Sequence, residues 1–321
     1  MISSRPVLPV STRAFGRSLH RASSPGARCA VRGALSASVL AVGIFMARPA
    51  LAVPKEPAGP AALAVVTGGN KGVGFHVAQQ LQEAGLRVVL GCRNRTLAEE
   101  AAARLGCEYE ILDLGSEASI EAFAKQMEKK YKRLDVLVNN AAIAFKAADP
   151  TPFKEQALPT LKINLFGTMR LTDRLLPLLR ATAAQSSSPP RVVNVASMAG
   201  RLRQLSPALQ SEFASETLDR PRLLRLVFSF VSAVQSGRHR EMGWSDSNYG
   251  LSKLALIAYT RLLAREEPQL QVNACCPGYC CTDMSSNRGG QDPAVGARTV
   301  LAAERSGRSG EFFENERISE W

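Results

Sequence analysis

From about Ala62 onward the chain alternates between short runs that are apolar almost throughout and longer stretches whose apolar residues return every three or four positions. The short runs are ALAVVT (Ala62 to Thr67), RVVLGC (Arg87 to Cys92), YEILDL (Tyr109 to Leu114), LDVLVNN (Leu134 to Asn140), RVVNVAS (Arg191 to Ser197) and LQVNACC (Leu270 to Cys276). Their length and Val, Ile and Leu content predict strands covered on both faces. Between them, VGFHVAQQLQEAG and SIEAFAKQMEKKYKRL carry the spacing of amphipathic helices. Strand, helix, strand, repeated, predicts an α/β fold: a doubly wound parallel sheet with helices on both faces. The pattern implies one domain over 61–321.

The segment before Ala61 has a different character. The 321-residue chain is 45% hydrophobic and carries a net charge of +12, which by itself suggests a polyanionic partner. Residues Met1 to Lys55, however, hold seven Arg, one Lys and no Asp or Glu, so the remainder has 32 basic against 28 acidic residues. No dense basic stripe with interleaved aromatics remains, and nucleic acid is excluded as the expected partner. Arg-rich, Ser-rich and acid-free is the composition of an organelle transit peptide. Within it the apolar run Ala34 to Ala47 is too short to span a bilayer, and the ALA ending at Ala52 resembles a signal cleavage site. Residues 1–60 are therefore expected to be a targeting leader and linker. A plastid is favoured over a mitochondrion or the secretory pathway, and no stable membrane association is expected once the leader is removed.

Candidate chemistry begins directly after the first apolar run, in VVTGGNKGVGF, where Gly68, Gly72 and Gly74 stand in GxxxGxG spacing beside Gly69. Alone, such a motif is accounted for by an ordinary turn. Between a predicted strand and a helix starting near Val73, it lets a pyrophosphate approach backbone amides and the positive end of the helix without a Cβ in the way.

Five further motifs follow in order: LDVLVNNA, the Asn of KINLFGT, NVAS, YGLSK and NACCPG. In sequence and spacing they resemble the short-chain dehydrogenase/reductase superfamily, with its Rossmann-like sheet. NNAAIAFKAADPTPF, RVVNVAS and ISEW are similar to its monomeric, NADPH-dependent carbonyl reductase branch. The similarity runs from about Ala62 to Trp321. It implies that Gly68, Asn70, Lys71, Gly72, Val73 and Gly74 bind the dinucleotide, that Asp113 and Leu114 contact the adenine, and that Asn140 lies beside the ribose. Pro277, Gly278, Cys280 and Thr282 are implied to contact the cofactor from the loop after the last strand. Ala142 departs from the more usual glycine of that family's NNAG. NADPH is favoured over NADH because the second strand ends GCRNR: Arg93, with Arg95 and Lys71 nearby, offers cations for a 2′-phosphate and no carboxylate for a free 2′-hydroxyl.

Asn164, Ser197, Tyr249 and Lys253 are the catalytic candidates. Tyr249 and Lys253 are one helical turn apart and share a face. A phenol of pKa near ~10 is a poor proton donor at neutral pH, and a neighbouring ammonium is expected to lower that value. Ser197, at the end of a predicted strand, can donate to a substrate carbonyl. The resemblance further implies that Lys253 binds the nicotinamide ribose and that Asn164 holds a water for proton resupply. The expected reaction is reduction of a small-molecule aldehyde, ketone or quinone carbonyl to an alcohol. A dedicated terpenoid- or alkaloid-type ketone reductase and a non-catalytic NADPH-binding interaction module are the alternatives.

Ser197 and Tyr249 are 52 positions apart, longer than in most of the superfamily, and the insertion at about 200–245 has helical periodicity. By the resemblance, these helices cover the surface that otherwise forms a tetramer, which implies a monomer. Met242 and Trp244, close in sequence to Tyr249, are expected to help wall the substrate pocket, with Met198 and Tyr279 opposite. The thiols of CCPGYCC (Cys275, Cys276, Cys280, Cys281) have no second spaced Cys or His pair to complete a zinc site, so no metal is expected. A buried structural role is the leading reading for them, with a redox role near the cofactor as the alternative.

Overall fold

The apolar runs become neighbouring strands of one sheet in the computed structural model, which describes residues 61–146 and 148–321. The expected leader, with its apolar run at 34–47, lies outside the described residues. In chain order the elements are β1 (Leu63–Thr67), α1 (Gly72–Glu83), β2 (Arg87–Cys92), α2 (Arg95–Leu105), β3 (Glu108–Ile111), α3 (Glu117–Tyr131) and β4 (Val136–Asn139). Next come α4 (Phe153–Leu161), a π-helical turn (Lys162–Gly167), α5 (Thr168–Ala183) and β5 (Arg191–Val195). The insertion forms α6 (Pro207–Ala214) and α7 (Arg220–Gln235), and is followed by α8 (Asn248–Glu266), β6 (Gln271–Cys276), α9 (Pro293–Arg305), β7 (Phe312–Glu314) and β8 (Arg317–Ile318).

The sheet order is β3-β2-β1-β4-β5-β6-β7-β8, parallel except for β8, which returns antiparallel to β7. Val65 lies opposite Val89 on one side and Leu137 on the other. From β1 the chain winds outward through β2 and β3, then returns to lay β4 against the other edge of β1. That reversal opens a crevice at the C-terminal ends of β1 and β4, where ligands of such sheets bind.

Alternation along the strands explains their continuous apolar character. Val65, Val89, Leu137 and Val192 enter one core layer with Phe123 of α3, Leu175 of α5 and Leu254 of α8. Their neighbours Val66, Val88, Val138 and Val193 enter the opposite layer with Val77 and Leu81 of α1, Ala98 of α2 and Val300 of α9. Both faces are buried, so both sets are apolar and a polar strand residue needs an internal partner. In the insertion, α7 packs against α4 and α8.

A chain of amides and hydroxyls crosses this apolar interior. Asn139 Nδ2 donates to Asn194 Oδ1 at 2.8 Å and to Thr172 Oγ1 at 3.1 Å, and Asn194 Nδ2 donates to Thr260 Oγ1 at 2.9 Å. It ties β4 and β5 to α5 and α8. Because these groups are buried away from water, removing one partner strands another. Asn194→Ala is expected to destabilise the protein by about 3 kcal/mol, as a lower urea midpoint with an unchanged denaturant slope. A change below about 0.5 kcal/mol would show that the network carries no stability.

Candidate active site

A cleft of about 810 Å³ lies at the C-terminal ends of β1, β4, β5 and β6. Thr67 and Asn140 join its floor across the point where the winding reverses. Thr67 Oγ1 accepts the amides of Asn140 and Ala141, both at 2.9 Å, while Asn140 Nδ2 donates to the Thr67 carbonyl at 2.9 Å and the Gly68 carbonyl at 3.3 Å. Gly68 and Gly72 take φ of 65° and 56°, a region costly for residues with a Cβ. A Cβ on Gly74 would sit 2.4 Å from Asn140 Nδ2.

The end of α1 facing this cradle has no side-chain cap, whereas Asn94, Ser116, Asp219, Ser247 and Asp292 cap α2, α3, α7, α8 and α9. First-turn amides at an uncapped N-terminus are donors in want of an acceptor, and a dinucleotide pyrophosphate fits them. Gly68, Asn70, Lys71, Gly72, Val73, Gly74 and Asn140 all line the cleft, as do Pro277, Gly278, Cys280 and Thr282 from the loop after β6.

Three expected cofactor contacts lie outside that lining. Arg93 is exposed just beyond β2, and among the described residues neither it nor Arg95 has an ion-pair partner. Asp113 and Leu114 follow β3. Asp113 Oδ1 accepts the Gly115 amide at 2.8 Å, its backbone amide donates to Ser119 Oγ at 2.9 Å, and Leu114 is buried. Lys71, expected to be available for a phosphate, instead pairs with Asp283 at 2.6 Å across the mouth of the cleft. That pairing holds the Asp283 carboxyl below its usual range. Both side chains are more than 60% exposed, so the bridge is weak and an incoming phosphate can compete for the lysine.

Ser197, Tyr249 and Lys253 converge on one wall. Ser197 ends the segment after β5, and its Oγ accepts the Ala199 amide at 3.1 Å, which leaves its proton for donation. Tyr249 and Lys253 lie on α8, whose first turn is capped by Ser247 Oγ accepting from the Gly250 amide at 2.8 Å. The Lys253 ammonium is buried and donates to the Val195 carbonyl at 2.6 Å, and it stands 5.7 Å from the centre of the Tyr249 ring.

The electrostatics differ from the sequence expectation. Burial, with the Cys276 thiol second, pushes the Tyr249 phenol up to about 12, against a hydrogen bond from Ser197. The Lys253 ammonium points its hydrogen bond at the Val195 carbonyl rather than at the phenol, and burial dominates the tyrosine's acidity. Burial also pulls Lys253 down to about 8, opposed by Cys275 and Cys276. Desolvation moves both groups toward their neutral forms.

Asn164 stands behind the wall rather than in it. Its Oδ1 accepts the Ile143 amide at 2.8 Å, and its Nδ2 donates to the Ile143 carbonyl at 2.9 Å and to Ser252 Oγ at 3.0 Å. Both amide hydrogens and one Oδ1 lone pair are used to lock the π-helical turn to the loop after β4 and to α8.

Trp244 requires a correction. Only 5% exposed, it packs edge-on against Phe213 and Phe230 inside the insertion and does not wall the pocket. Met242 is also absent from the lining. Nearness in sequence to Tyr249 does not carry either side chain to the cleft, because an indole gains more from a buried aromatic cluster. The exposed apolar mouth is formed by Met198 and Tyr279, as expected, and by Met284, which sequence reasoning missed.

Cys276 and Asp283 were missed as lining residues too. Cys276 directly precedes the Pro277–Gly278 pair, and that adjacency was the available signal. Cys280 donates to the Pro277 carbonyl at 3.2 Å, and burial pushes its thiol up to about 11, which leaves little thiolate at neutral pH. Among the described residues no group of three or more His, Cys, Asp or Glu is arranged to hold a metal, and no helix is long and apolar enough to cross a membrane.

A family model described as short chain dehydrogenase matches residues 62–208. Carbonyl reductase [NADPH] 1 of Sus scrofa is 39% identical over 279 residues, covering 81% of this chain and 94% of the relative. Among solved structures, salutaridine reductase from Papaver somniferum superposes with a TM-score of 0.72 at 31% identity, covering 79% of this chain and 99% of that one. The menthone neomenthol reductase of Mentha piperita gives 0.68 at 28% identity, covering 81% and 100%.

The depressed pKa of Lys253 has a consequence for stability. Between about 8 and 10.5 the unfolded chain binds a proton at this lysine that the folded chain does not, so folding becomes more favourable as pH rises through that window. Below about 8 the cost of the buried ammonium is fully present. Lys253→Met is therefore expected to stabilise the ligand-free protein at pH 7, by at most on the order of 3 kcal/mol, with the gain shrinking as pH rises from 8 to 10.5. Urea titrations of both proteins across that range check it, and a pH-independent difference would refute the shift.

Proposed function

The chain belongs to the short-chain dehydrogenase family as an NADP-dependent oxidoreductase acting on carbonyls, and we propose that it reduces aldehydes, ketones and quinones to alcohols with Tyr249 as proton donor. The observation that carries this reading is the convergence of Ser197, Tyr249 and Lys253 on one cleft that also contains the glycine turn.

The reduced nicotinamide, when bound, supplies a hydride to the carbonyl carbon. The chain's own residues manage the oxygen. Ser197 Oγ–H donates to it and draws charge toward it. Tyr249, whose raised pKa keeps the phenol protonated at neutral pH, gives up its proton there. Lys253, still charged below about 8, supplies the compensating cation within the wall. Asn164 acts as a positioning residue that fixes the β4 loop against α8. On the phosphate side, Gly72, Val73 and Gly74 offer amides, while Lys71 and Arg93 offer cations to the 2′-phosphate.

A dedicated terpenoid- or alkaloid-type ketone reductase is the second reading, favoured by the likeness to the poppy and mint reductases and by the apolar mouth of Met198, Tyr279 and Met284. NADPH consumption against menadione, benzaldehyde, menthone and salutaridine separates the two. Broad turnover supports the first reading, and turnover confined to one bulky ketone supports the second. Tyr249→Phe is expected to lower the rate by about a thousandfold while NADPH binding, followed by fluorescence, is retained. Equal rates at the uncatalysed background in both proteins would leave only an NADPH-binding module, and equal turnover above it would reject Tyr249 as the proton donor.

The proposal also includes a monomer, supported by α7 lying over α4 and α8, and a plastid location, supported by the acid-free Arg- and Ser-rich leader. Light scattering of residues 61–321 is expected to give the mass of one chain, and the leader fused to a fluorescent protein is expected to enter plastids. A tetramer, or a fusion left outside plastids, would reject the respective part.

A further inference from the structure

Ser197 is carried on the single turn Met198–Gly200, and that turn is held from two sides. On one side it rests on α8. A Cβ on Gly200 would lie 2.7 Å from the Lys253 carbonyl carbon and 2.8 Å from the Leu254 nitrogen, so only a glycine lets the serine turn touch the backbone of the lysine. On the other side is Trp321, whose Nε1 donates to the Gly200 carbonyl at 2.9 Å.

The indole is itself fixed. It packs against the apolar cluster formed by Ala196, Ile257, Ala274, Cys276 and Phe312, with the Arg261 guanidinium 5.5 Å from its ring centre. Ala196 of that cluster immediately precedes Ser197, so the cluster and the Trp321–Gly200 hydrogen bond flank the serine in sequence. The next residue, Arg201, is bound by the Glu314 carboxylate and lies 3.3 Å from Ser319 Oγ. The Ser319 amide donates to the Phe312 carbonyl at 2.8 Å, which anchors the segment to β7.

We infer that Trp321 is a positioning residue for Ser197: its indole N–H pins the Gly200 carbonyl and so sets the distance of the serine hydroxyl from the Tyr249 phenol. The inference rests on the proposal that Ser197 donates to the substrate carbonyl. The Ser197 oxygen is tied to the Ala199 amide of the same turn, so the hydroxyl follows the turn wherever it moves. Displacements of an ångström at a reacting group are costly in rate even when the fold survives.

The test is a double-mutant cycle in the full chain with NADPH and menadione as the probe, Trp321→Phe being placed in the wild-type and Ser197→Ala backgrounds. In the wild-type background kcat is expected to fall about tenfold. NADPH affinity by fluorescence should stay within about twofold, and no further loss should occur when Ser197 is already absent. The same loss in both backgrounds, no loss at all, or a parallel loss of NADPH affinity would overturn the inference.

Should Trp321→Phe melt too low to assay, benzothienylalanine at position 321 replaces the N–H with sulfur in a ring of the same shape, and the same outcomes apply. A collapse in Ser197→Ala together with a wild-type rate in Trp321→Phe removes this inference alone. A wild-type rate in Ser197→Ala removes the serine's proposed role, and the inference with it.

Discussion

The hydrogen bond from the buried Lys253 ammonium to the Val195 carbonyl joins the two halves of the site. It fastens α8 to the end of β5, and everything reactive is reached from that junction within a few residues. Ser197 is two positions beyond the acceptor, and Tyr249 is one turn before the donor. An ammonium is expensive to bury, and a carbonyl dipole compensates only part of that cost. A site that retains such a charge in its wall has spent stability on it.

The same economy of connections governs the cofactor side. The sheet reverses its winding between β1 and β4, and Thr67 and Asn140 close the gap with four hydrogen bonds. The donors at the start of α1 are left uncapped above that floor. Over the mouth, the loop after β6 reaches the glycine turn through the exposed Lys71–Asp283 pair, a contact weak enough to yield to a phosphate. The rigid part of the cleft is thus made of backbone and buried amides, and the part that must admit a ligand is made of solvated charge.

Strands buried on both faces announce themselves as unbroken runs of Val, Leu and Ile, and so the parallel sheet and its glycine turn were legible from the residues. β7 and β8 were not, because three- and two-residue strands carry no periodicity of their own and exist only by pairing, β7 with β6 and β8 with β7. Motif residues that act through the backbone or through fixed helical spacing, such as Gly68, Tyr249 and Lys253, fell where expected. Residues assigned by nearness in sequence did less well. Trp244 is five positions from Tyr249 yet belongs to the aromatic core of the insertion, since the spacing of Phe213 and Phe230 on two separate helices cannot be read as a contact in advance. Asp283 and Trp321 act across long separations, to Lys71 and Gly200, which no local pattern encodes.

Burial also reverses the simplest account of the chemistry. Proximity in sequence suggests that the lysine acidifies the phenol, but desolvation is the larger influence on both, raising Tyr249 to about 12 and lowering Lys253 to about 8. At neutral pH the phenol therefore keeps its proton and the lysine keeps its charge, which is the pairing the proposed proton donor and its counterion need before the reaction. A phenolate formed in this wall is costly unless a cation and a hydrogen-bond donor are already oriented toward it. Ser197 is the donor that already lowers the phenol's pKa, and its position is set by a turn clamped between α8 and Trp321. In the proposed reaction the acidity of the tyrosine at the moment of transfer thus depends on how firmly that turn is held, as well as on the ammonium one helical turn away.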